Sequence, residues 1–253
     1  MRCIDLNADL GEGGTEDDAL VHLVTSANIA CGGHAGDEEM MRRSIHLAFT
    51  NGVHIGAHPG YEDRENFGRR AMTLPLEQVT ALVRRQVTQL AEYAVAAGTR
   101  LHHVKPHGAL YHQAGRDAYL ANALVLGLTG ISHELILYAQ PGSELDKAGQ
   151  AAGFKIFAEG FADRRYRDDG TLMPRGEPGA AFKEVDAAVA QALTIISNEK
   201  FDTLCIHGDG VTAVSILKTL HAKLGLTKNP PRPSAALAVN FGISNHGQHG
   251  IHR

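Results

Sequence analysis

Residues 101–108 read LHHVKPHG, and this stretch shows how the chain is organised. The short run Leu101–Val104, followed by a turn that contains Pro and Gly, predicts a buried β-strand. Lys105 and His107 come directly after that strand. Ionisable side chains at the end of a buried strand predict that the strand ends at a functional edge of the fold.

The same arrangement recurs along the chain. We predict seven strands, at residues 3–6, 27–31, 53–57, 101–104, 135–139, 155–158 and 203–206. Helical patterns lie between them at residues 37–51, 75–97, 117–129, 143–152, 181–199 and 210–224, with a weaker one at 16–24. This alternation predicts right-handed βαβ units and a parallel sheet. Seven such units favour a closed or nearly closed β/α (TIM-like) barrel over a Rossmann sheet, and the catalytic residues of such barrels gather at the C-terminal rim.

The composition is that of an ordinary globular protein. Of the 253 residues, 43% are hydrophobic and 21% are charged, which is enough apolar material for a sizeable core. The net charge of −4 argues against a nucleic-acid-binding surface, and no apolar stretch has the length of a membrane span. The acidic N-terminus argues against a signal peptide, and three scattered cysteines predict a cytoplasmic protein. We predict one barrel domain over residues 1–224 and an atypical Pro- and His-containing tail over 225–253.

The first predicted strand ends in several polar side chains. Alternation along the strand places Asp5, Asn7 and Asp9 on one face, toward the barrel interior, and Glu12 follows in a glycine-rich turn. Several carboxylates at one strand exit are costly unless they bind something, so we predict a site for a metal, an ammonium group or a substrate amide. A polar strand end with Asx turns is the structural alternative.

Histidines follow the second and third predicted strands. His34 comes after the paired Gly32 and Gly33, whose lack of side chains lets the backbone approach a ligand closely. His58 stands on a rigid turn directly after its strand. Asp37, which is also near this edge, is better explained as the cap of the next helix.

Cationic side chains follow the third and fourth strands. Arg64, Arg69 and Arg70 lie in one loop and suit a carboxylate or a phosphate, although a salt-bridged rim loop explains any one of them equally well. Lys105 can bind an anion or, if it is desolvated, act in catalysis. His107 can carry a proton near neutral pH.

The last two predicted strands also end in ionisable residues. Glu159 opens a long charged loop, residues 159–175, which includes Arg164 and has the length of a lid. His207 and Asp209 follow the seventh strand, where the backbone amides at the start of a helix suit phosphate. The sequence has no GxxxxGK[ST] phosphate loop, no GxGxxG motif and no GxSxG nucleophile elbow.

Six segments, in this order, resemble the LamB/YcsF family, which includes the A subunits of prokaryotic 5-oxoprolinase. They are DLNADLGEG (5–13), SANIACGGHAGD (26–37), GAHPGYEDRENFGRR (56–70), VKPHGALY (104–111), FADRRYRDDGTLMPR (161–175) and CIHGDG (205–210). The resemblance implies an irregular seven-stranded β/α barrel related to the polysaccharide-deacetylase-like sugar hydrolases. It also implies ATP-dependent hydrolysis of 5-oxo-L-proline to L-glutamate, together with separate B and C subunits.

The implied reaction accounts for the kinds of residue found. Opening a five-membered lactam is uphill near neutral pH, so hydrolysis is coupled to ATP, with Mg²⁺ expected. Phosphorylation of the amide oxygen and attack by water need cations, a base and a clamp for the substrate carboxylate. The candidate catalytic residues are Asp9, His34, His58, Lys105, His107 and Asp209. The candidate substrate-binding residues are Asn7, Glu12, Arg64, Arg69, Arg70, Glu159, Arg164 and His207.

Two other functions fit the same residues. A stand-alone metal-dependent amidase or deacetylase would use Asp9, His34 and His58 as ligands of zinc or another divalent ion. A non-catalytic binding subunit would leave the active site to its partners. The sequence also leaves open whether ATP binds in this chain or in a partner.

Overall fold

The computed structural model describes residues 4–132, 134–208, 210 and 212–225, and its centre is a closed barrel of parallel strands. The strands are β1 (Asp5–Leu10), β2 (Ser26–Ala30), β3 (His54–His58), β4 (His103–Val104), β5 (Ile136–Ala139), β6 (Lys155–Phe161) and β7 (Thr203–Ile206). Each strand pairs with the next in the chain, and β1 pairs with β7 to close the barrel. The predicted seven-stranded parallel barrel is therefore confirmed.

Helices surround the barrel. Those in the described residues are α1 (Asp17–Leu20), α2 (Glu38–Thr50), α3 (Leu76–Ala96), α4 (Gly108–Ala114), α5 (Ala118–Leu128), α6 (Glu144–Ala151), α7 (Val185–Ser197) and α8 (Ala213–Leu224). The longest helix, α3, buries Val83, Val87 and Leu90 on one face and packs against β3 and α5. Asp37 caps α2 as predicted, because its side chain accepts a hydrogen bond from the Met40 amide.

Helix α4 was not predicted, although it lies beside the site. It begins at Gly108, immediately after His107, and it buries Leu110 and Tyr111. Seven residues span only two turns, which is too short for an apolar repeat to be distinguished from a loop. Strands β1 and β6 also extend further than predicted, so that Asp9 and Glu159 belong to the strands themselves.

The interior of the barrel is polar, whereas the main apolar core lies between the strands and the helices. Asn7, Ser26, Asn28, His103 and Thr203 are fully buried. They are paired with one another and with their neighbours: Asn7 Nδ2 donates to Thr203 Oγ1 at 2.7 Å, and His103 Nε2 lies 2.8 Å from Asn28 Oδ1. This pairing removes the penalty of burying polar groups inside a closed sheet.

The predicted tail over 225–253 lies outside the described residues apart from Gly225, so its organisation stays a prediction. Across the ranges that the structure describes, we find no helix with both the length and the apolar character needed to span a membrane.

Gly56 on β3 leaves room inside the barrel for the imidazole ring of His103. A Cβ atom at this position would overlap the imidazole of His103. We expect Gly56→Ala to lower the free energy of unfolding by about 1–3 kcal/mol, because the ring must leave its place beside Asn28. Urea denaturation measures this change. Gly176→Ala is the matched control, since a Cβ there meets nothing within 4 Å; equal stabilities of the two variants would contradict the interpretation.

Candidate functional site

A cleft opens where the strands end, at the C-terminal rim of the barrel. It encloses about 340 Å³, part of which is open to solvent. Side chains from the ends of β1, β3, β4, β6 and β7 all contribute to it. Its lining residues are Asp9, His58, Arg69, Lys105, Pro106, His107, Gly108, Tyr111, His112, Phe161, Arg175 and His207.

Lys105 is the buried cation of the cleft. Its Nζ atom lies 2.9 Å from Asp9 Oδ1 and 3.3 Å from Glu159 Oε1, and the side chain is only 3% exposed. It also donates to Cys205 Sγ at 2.9 Å. Burial alone would lower the pKa of Lys105, but the carboxylates of Asp9 and Glu159 raise this pKa well above its ordinary value. Lys105 is therefore protonated at neutral pH.

The amide side chains of Asn28 and Asn7 hold the carboxylates of Asp9 and Glu159 in place. Asn28 Nδ2 donates to Asp9 Oδ1 at 2.9 Å, and Asn7 Nδ2 donates to Glu159 Oε1 at 3.2 Å. Burial alone would raise the pKa of Asp9, but His58 and Lys105 lower it well below its ordinary value. Asp9 is therefore an ionised carboxylate that lines the cleft.

Three imidazoles converge on Glu12 beside the ion pair. Glu12 Oε1 lies 3.1 Å from His34 Nε2, 3.2 Å from His107 Nδ1 and 3.7 Å from His58 Nε2. The rings of His34 and His107 stack with their centroids 3.6 Å apart. The three histidines come from the ends of β2, β3 and β4 or the segments that follow them, so barrel closure is what brings them together. We call Glu12, His34, His58 and His107 the imidazole cluster.

The hydrogen-bond partners of the imidazole cluster show which ring nitrogens carry hydrogens. His58 Nδ1 lies 2.6 Å from the Lys105 carbonyl oxygen, and His107 Nε2 lies 2.9 Å from the Phe67 carbonyl oxygen. Because a carbonyl oxygen only accepts hydrogen bonds, these two ring nitrogens carry the hydrogens. Burial lowers the pKa of His34 to about 4 and also lowers the pKa of His107, so the neutral forms are favoured.

His207 forms a second polar pair at the rim. Its Nδ1 atom lies 2.9 Å from Asp163 Oδ2, and its ring stacks on Phe161. Burial alone would raise the pKa of Asp163, but His207 lowers it. Asp163, Arg175 and Tyr111 were not among the predicted site residues, although each lies within one of the six family-like segments. Their positions within those segments were the sequence feature that could have identified them as site residues.

The structure brings most of the predicted residues together, but not all. Among the predicted arginines, Arg69 lines the cleft and Arg70 is exposed outside it. Arg64 donates to the carbonyl oxygens of Gly32 and Gly36, so it braces the turn that carries His34. Arg164 is buried and donates to the Met173 carbonyl oxygen within the long loop. Asp209 lies outside the described residues.

Comparison with known proteins identifies the family of this chain. The model of the LamB/YcsF family matches residues 4–236. The chain belongs to the LamB/YcsF family. It is 49% identical over 240 aligned residues to the A subunit of 5-oxoprolinase from Methylococcus capsulatus, an alignment that covers 88% of this chain and 92% of that protein.

Two solved structures share the fold of this chain. The crystal structure of a lactam utilization protein from Thermus thermophilus is 35% identical and superposes with a TM-score of 0.82, covering 88% of this chain and 98% of that one. The catalytic domain of a peptidoglycan N-acetylglucosamine deacetylase from Eubacterium rectale is 9% identical, with a TM-score of 0.51, and covers 92% of this chain and 90% of that one. The second likeness shows that the barrel fold is shared with a deacetylase.

Removing the buried ammonium group tests the electrostatic account of the site. We expect Lys105→Met to lower the free energy of unfolding by about 3–5 kcal/mol at pH 7, because Asp9 and Glu159 lose their counter-charge. Lys105 helps to lower the pKa of Asp9, so the ion pair stabilises the fold above the ordinary carboxylate pKa. That contribution is lost as the pH falls, and the difference between variant and wild type should shrink below about pH 4.

Urea denaturation at neutral and acidic pH measures this effect. The matched control is Lys147→Met, which removes an exposed lysine paired with Glu144 and should change the stability by less than about 0.5 kcal/mol. A Lys105→Met variant that is as stable as this control would show that the buried pair is not what holds the site together.

Proposed function

We propose that this chain is the A subunit of a 5-oxoprolinase, which hydrolyses 5-oxo-L-proline to L-glutamate with ATP and works together with B and C subunits. The observation that carries the proposal is the buried ammonium–carboxylate pair of Lys105 and Asp9 at the floor of a small cleft. The names of the Methylococcus and Thermus relatives support a lactam as the substrate. A cytoplasmic location suits a consumer of ATP.

The proposed reaction has three chemical steps. The lactam oxygen attacks the γ-phosphorus of ATP, and ADP leaves. Water adds to the activated carbon, and the ring C–N bond breaks as the nitrogen takes a proton. A second water then hydrolyses the resulting acyl phosphate to the side-chain carboxylate and phosphate. Negative charge develops on phosphoryl and carbonyl oxygens in these steps, and cations stabilise it.

The cleft contains groups suited to each requirement. Lys105, Arg69 and Arg175 line it and provide positive charge for a phosphoryl group or the substrate carboxylate. Asp9 lines the same space, and we assign its carboxylate to orient the attacking water and accept a proton from it. We propose ATP with Mg²⁺ as the co-substrate of the assembled complex.

A second candidate is metal-dependent amide hydrolysis by this chain alone, without ATP. The imidazole cluster favours it, because histidines and a carboxylate at a barrel rim could hold a divalent ion that activates water. Release of product from a lactam or N-acetyl substrate, measured with the isolated chain and no ATP, tests this candidate.

Asp9→Asn tests the proposed catalytic role in the reconstituted complex. This change keeps the shape of the side chain and leaves Lys105 paired with Glu159. We expect glutamate release to fall by about 10²–10⁴-fold, since the variant lacks the ionised base. Coupled assays of glutamate and ADP, with and without the B and C subunits, measure both halves of the reaction.

Asp18→Asn is the control for this experiment, because it removes an exposed carboxylate that pairs with Arg43 outside the cleft. It should leave the rates unchanged. Full activity of the Asp9→Asn complex would instead favour a non-catalytic role for this subunit.

A further inference from the structure

Two ring nitrogens in the imidazole cluster face each other without a donor between them. His58 Nε2 and His107 Nδ1 are 2.9 Å apart. A neutral imidazole has one N–H group and one lone pair, and the backbone carbonyls already accept the N–H of each ring. Both facing nitrogens therefore present lone pairs to the same point.

Glu12 adds to this excess of acceptors. Its Oε1 atom lies 3.2 Å from His107 Nδ1 and 3.7 Å from His58 Nε2, and its side chain is only 8% exposed. His58 Nε2, His107 Nδ1 and Glu12 Oε1 are thus buried acceptors that converge with no donor among the three, which is strongly unfavourable. A cation at their meeting point removes the conflict. A single proton bridges only one pair of acceptors, whereas a metal ion accepts electron pairs from all of them.

We propose that Glu12, His58 and His107 bind one divalent transition-metal ion of the zinc class. One ligand atom from each of these three lies within 4.8 Å of the others. His34 stacks on His107, so its ring plane cannot contain the same ion, and its Nε2 atom instead holds Glu12 at 3.1 Å. Tetrahedral zinc with bonds of about 2.0–2.1 Å places its ligand atoms about 3.3 Å apart. The separations of 2.9, 3.2 and 3.7 Å among these three ligand atoms bracket that value. Nitrogen-rich ligands favour zinc-class ions over magnesium or calcium.

The surroundings of the cluster match those of bound metals. Histidine ligands commonly donate their second ring N–H to a backbone carbonyl, which fixes the ring and its tautomer. His58 and His107 both do this. The side chains of His58 and His107 are almost fully buried, so the ligand atoms are already dehydrated and held in place.

Asp9 is not in this ligand set, although the sequence predicted it beside His34 and His58. Its Oδ1 atom is bound by Lys105 and Asn28, while its Oδ2 atom lies 3.5 Å from His58 Nε2. Glu12 contacts all three imidazoles, which makes it the better carboxylate ligand.

The metal site goes beyond the proposed reaction, and its test does not depend on activity.

Titration with Co²⁺ as a probe tests the site directly. Full-length protein is stripped with a chelator, and Co²⁺ binding is followed by its visible absorption and by elemental analysis. We expect one equivalent per chain, a tetrahedral spectrum and displacement by Zn²⁺. Glu12→Gln and His58→Gln should each weaken binding by more than about 100-fold, since each removes a direct ligand.

Two controls separate this site from other histidines. His54→Gln removes a half-buried imidazole that stacks on His102 elsewhere in the barrel, and it should bind Co²⁺ as the wild type does. A triple variant, His246→Gln, His249→Gln and His252→Gln, removes the histidines near the C-terminus and should also bind normally.

Thermal unfolding distinguishes lost ligands from lost folding. Zn²⁺ should raise the unfolding midpoint of wild type and His54→Gln but not that of a folded Glu12→Gln variant, because only bound metal stabilises the native state. The proposal is overturned if wild type takes up no stoichiometric metal, or if Glu12→Gln and His54→Gln bind equally. Stoichiometric binding in a complex that produces no glutamate would count against the proposed reaction alone.

Discussion

The ion pair between Lys105 and Asp9 sets the requirements for the rest of the barrel. Taking an ammonium and a carboxylate out of water costs several kcal/mol for each ion, and their attraction compensates only where the remaining donors and acceptors are paired. Glu159 and Asn28 provide that pairing at 3.3 and 2.9 Å. The barrel interior is consequently filled with hydrogen-bonding side chains, in contrast to the branched apolar layers of an ordinary β/α barrel.

A polar interior moves the apolar core to the outside of the sheet. On β1, Leu6 and Leu10 are buried against the helices, whereas Asn7 and Asp9 alternate with them and face inward. The same residues that build the network therefore also fix the register of the strands, because a slip of one position would place carboxylates in the apolar layer. Asn7 and Asp9 therefore contribute both to the register of the barrel and to the surroundings of the cleft.

The barrel and most of the ionisable residues at its rim could be predicted, because both follow from short stretches of the sequence. Each strand is a short run of residues, followed in nearly every case by an ionisable side chain, and parallel closure then gathers those ends. The pairing of His207 with Asp163 could not be predicted, since the two residues are 44 positions apart and only the fold of the long loop brings them together. Arg64 was predicted to bind an anion, yet its guanidinium contacts backbone carbonyls. A residue type indicates what a side chain can bind, while the unsatisfied groups around it decide what it does bind.

The cleft combines two chemically different kinds of group. Arg69 and Arg175 line it as cations together with Lys105, which is paired with Asp9 and Glu159, and the imidazole cluster is rich in lone pairs. An anion is attracted to the first and a Lewis acid to the second, and Asp9 lies between them with contacts to both Lys105 and His58. The proposed reaction would use this arrangement, because a phosphoryl group needs cations whereas the attacking water needs the carboxylate beside them.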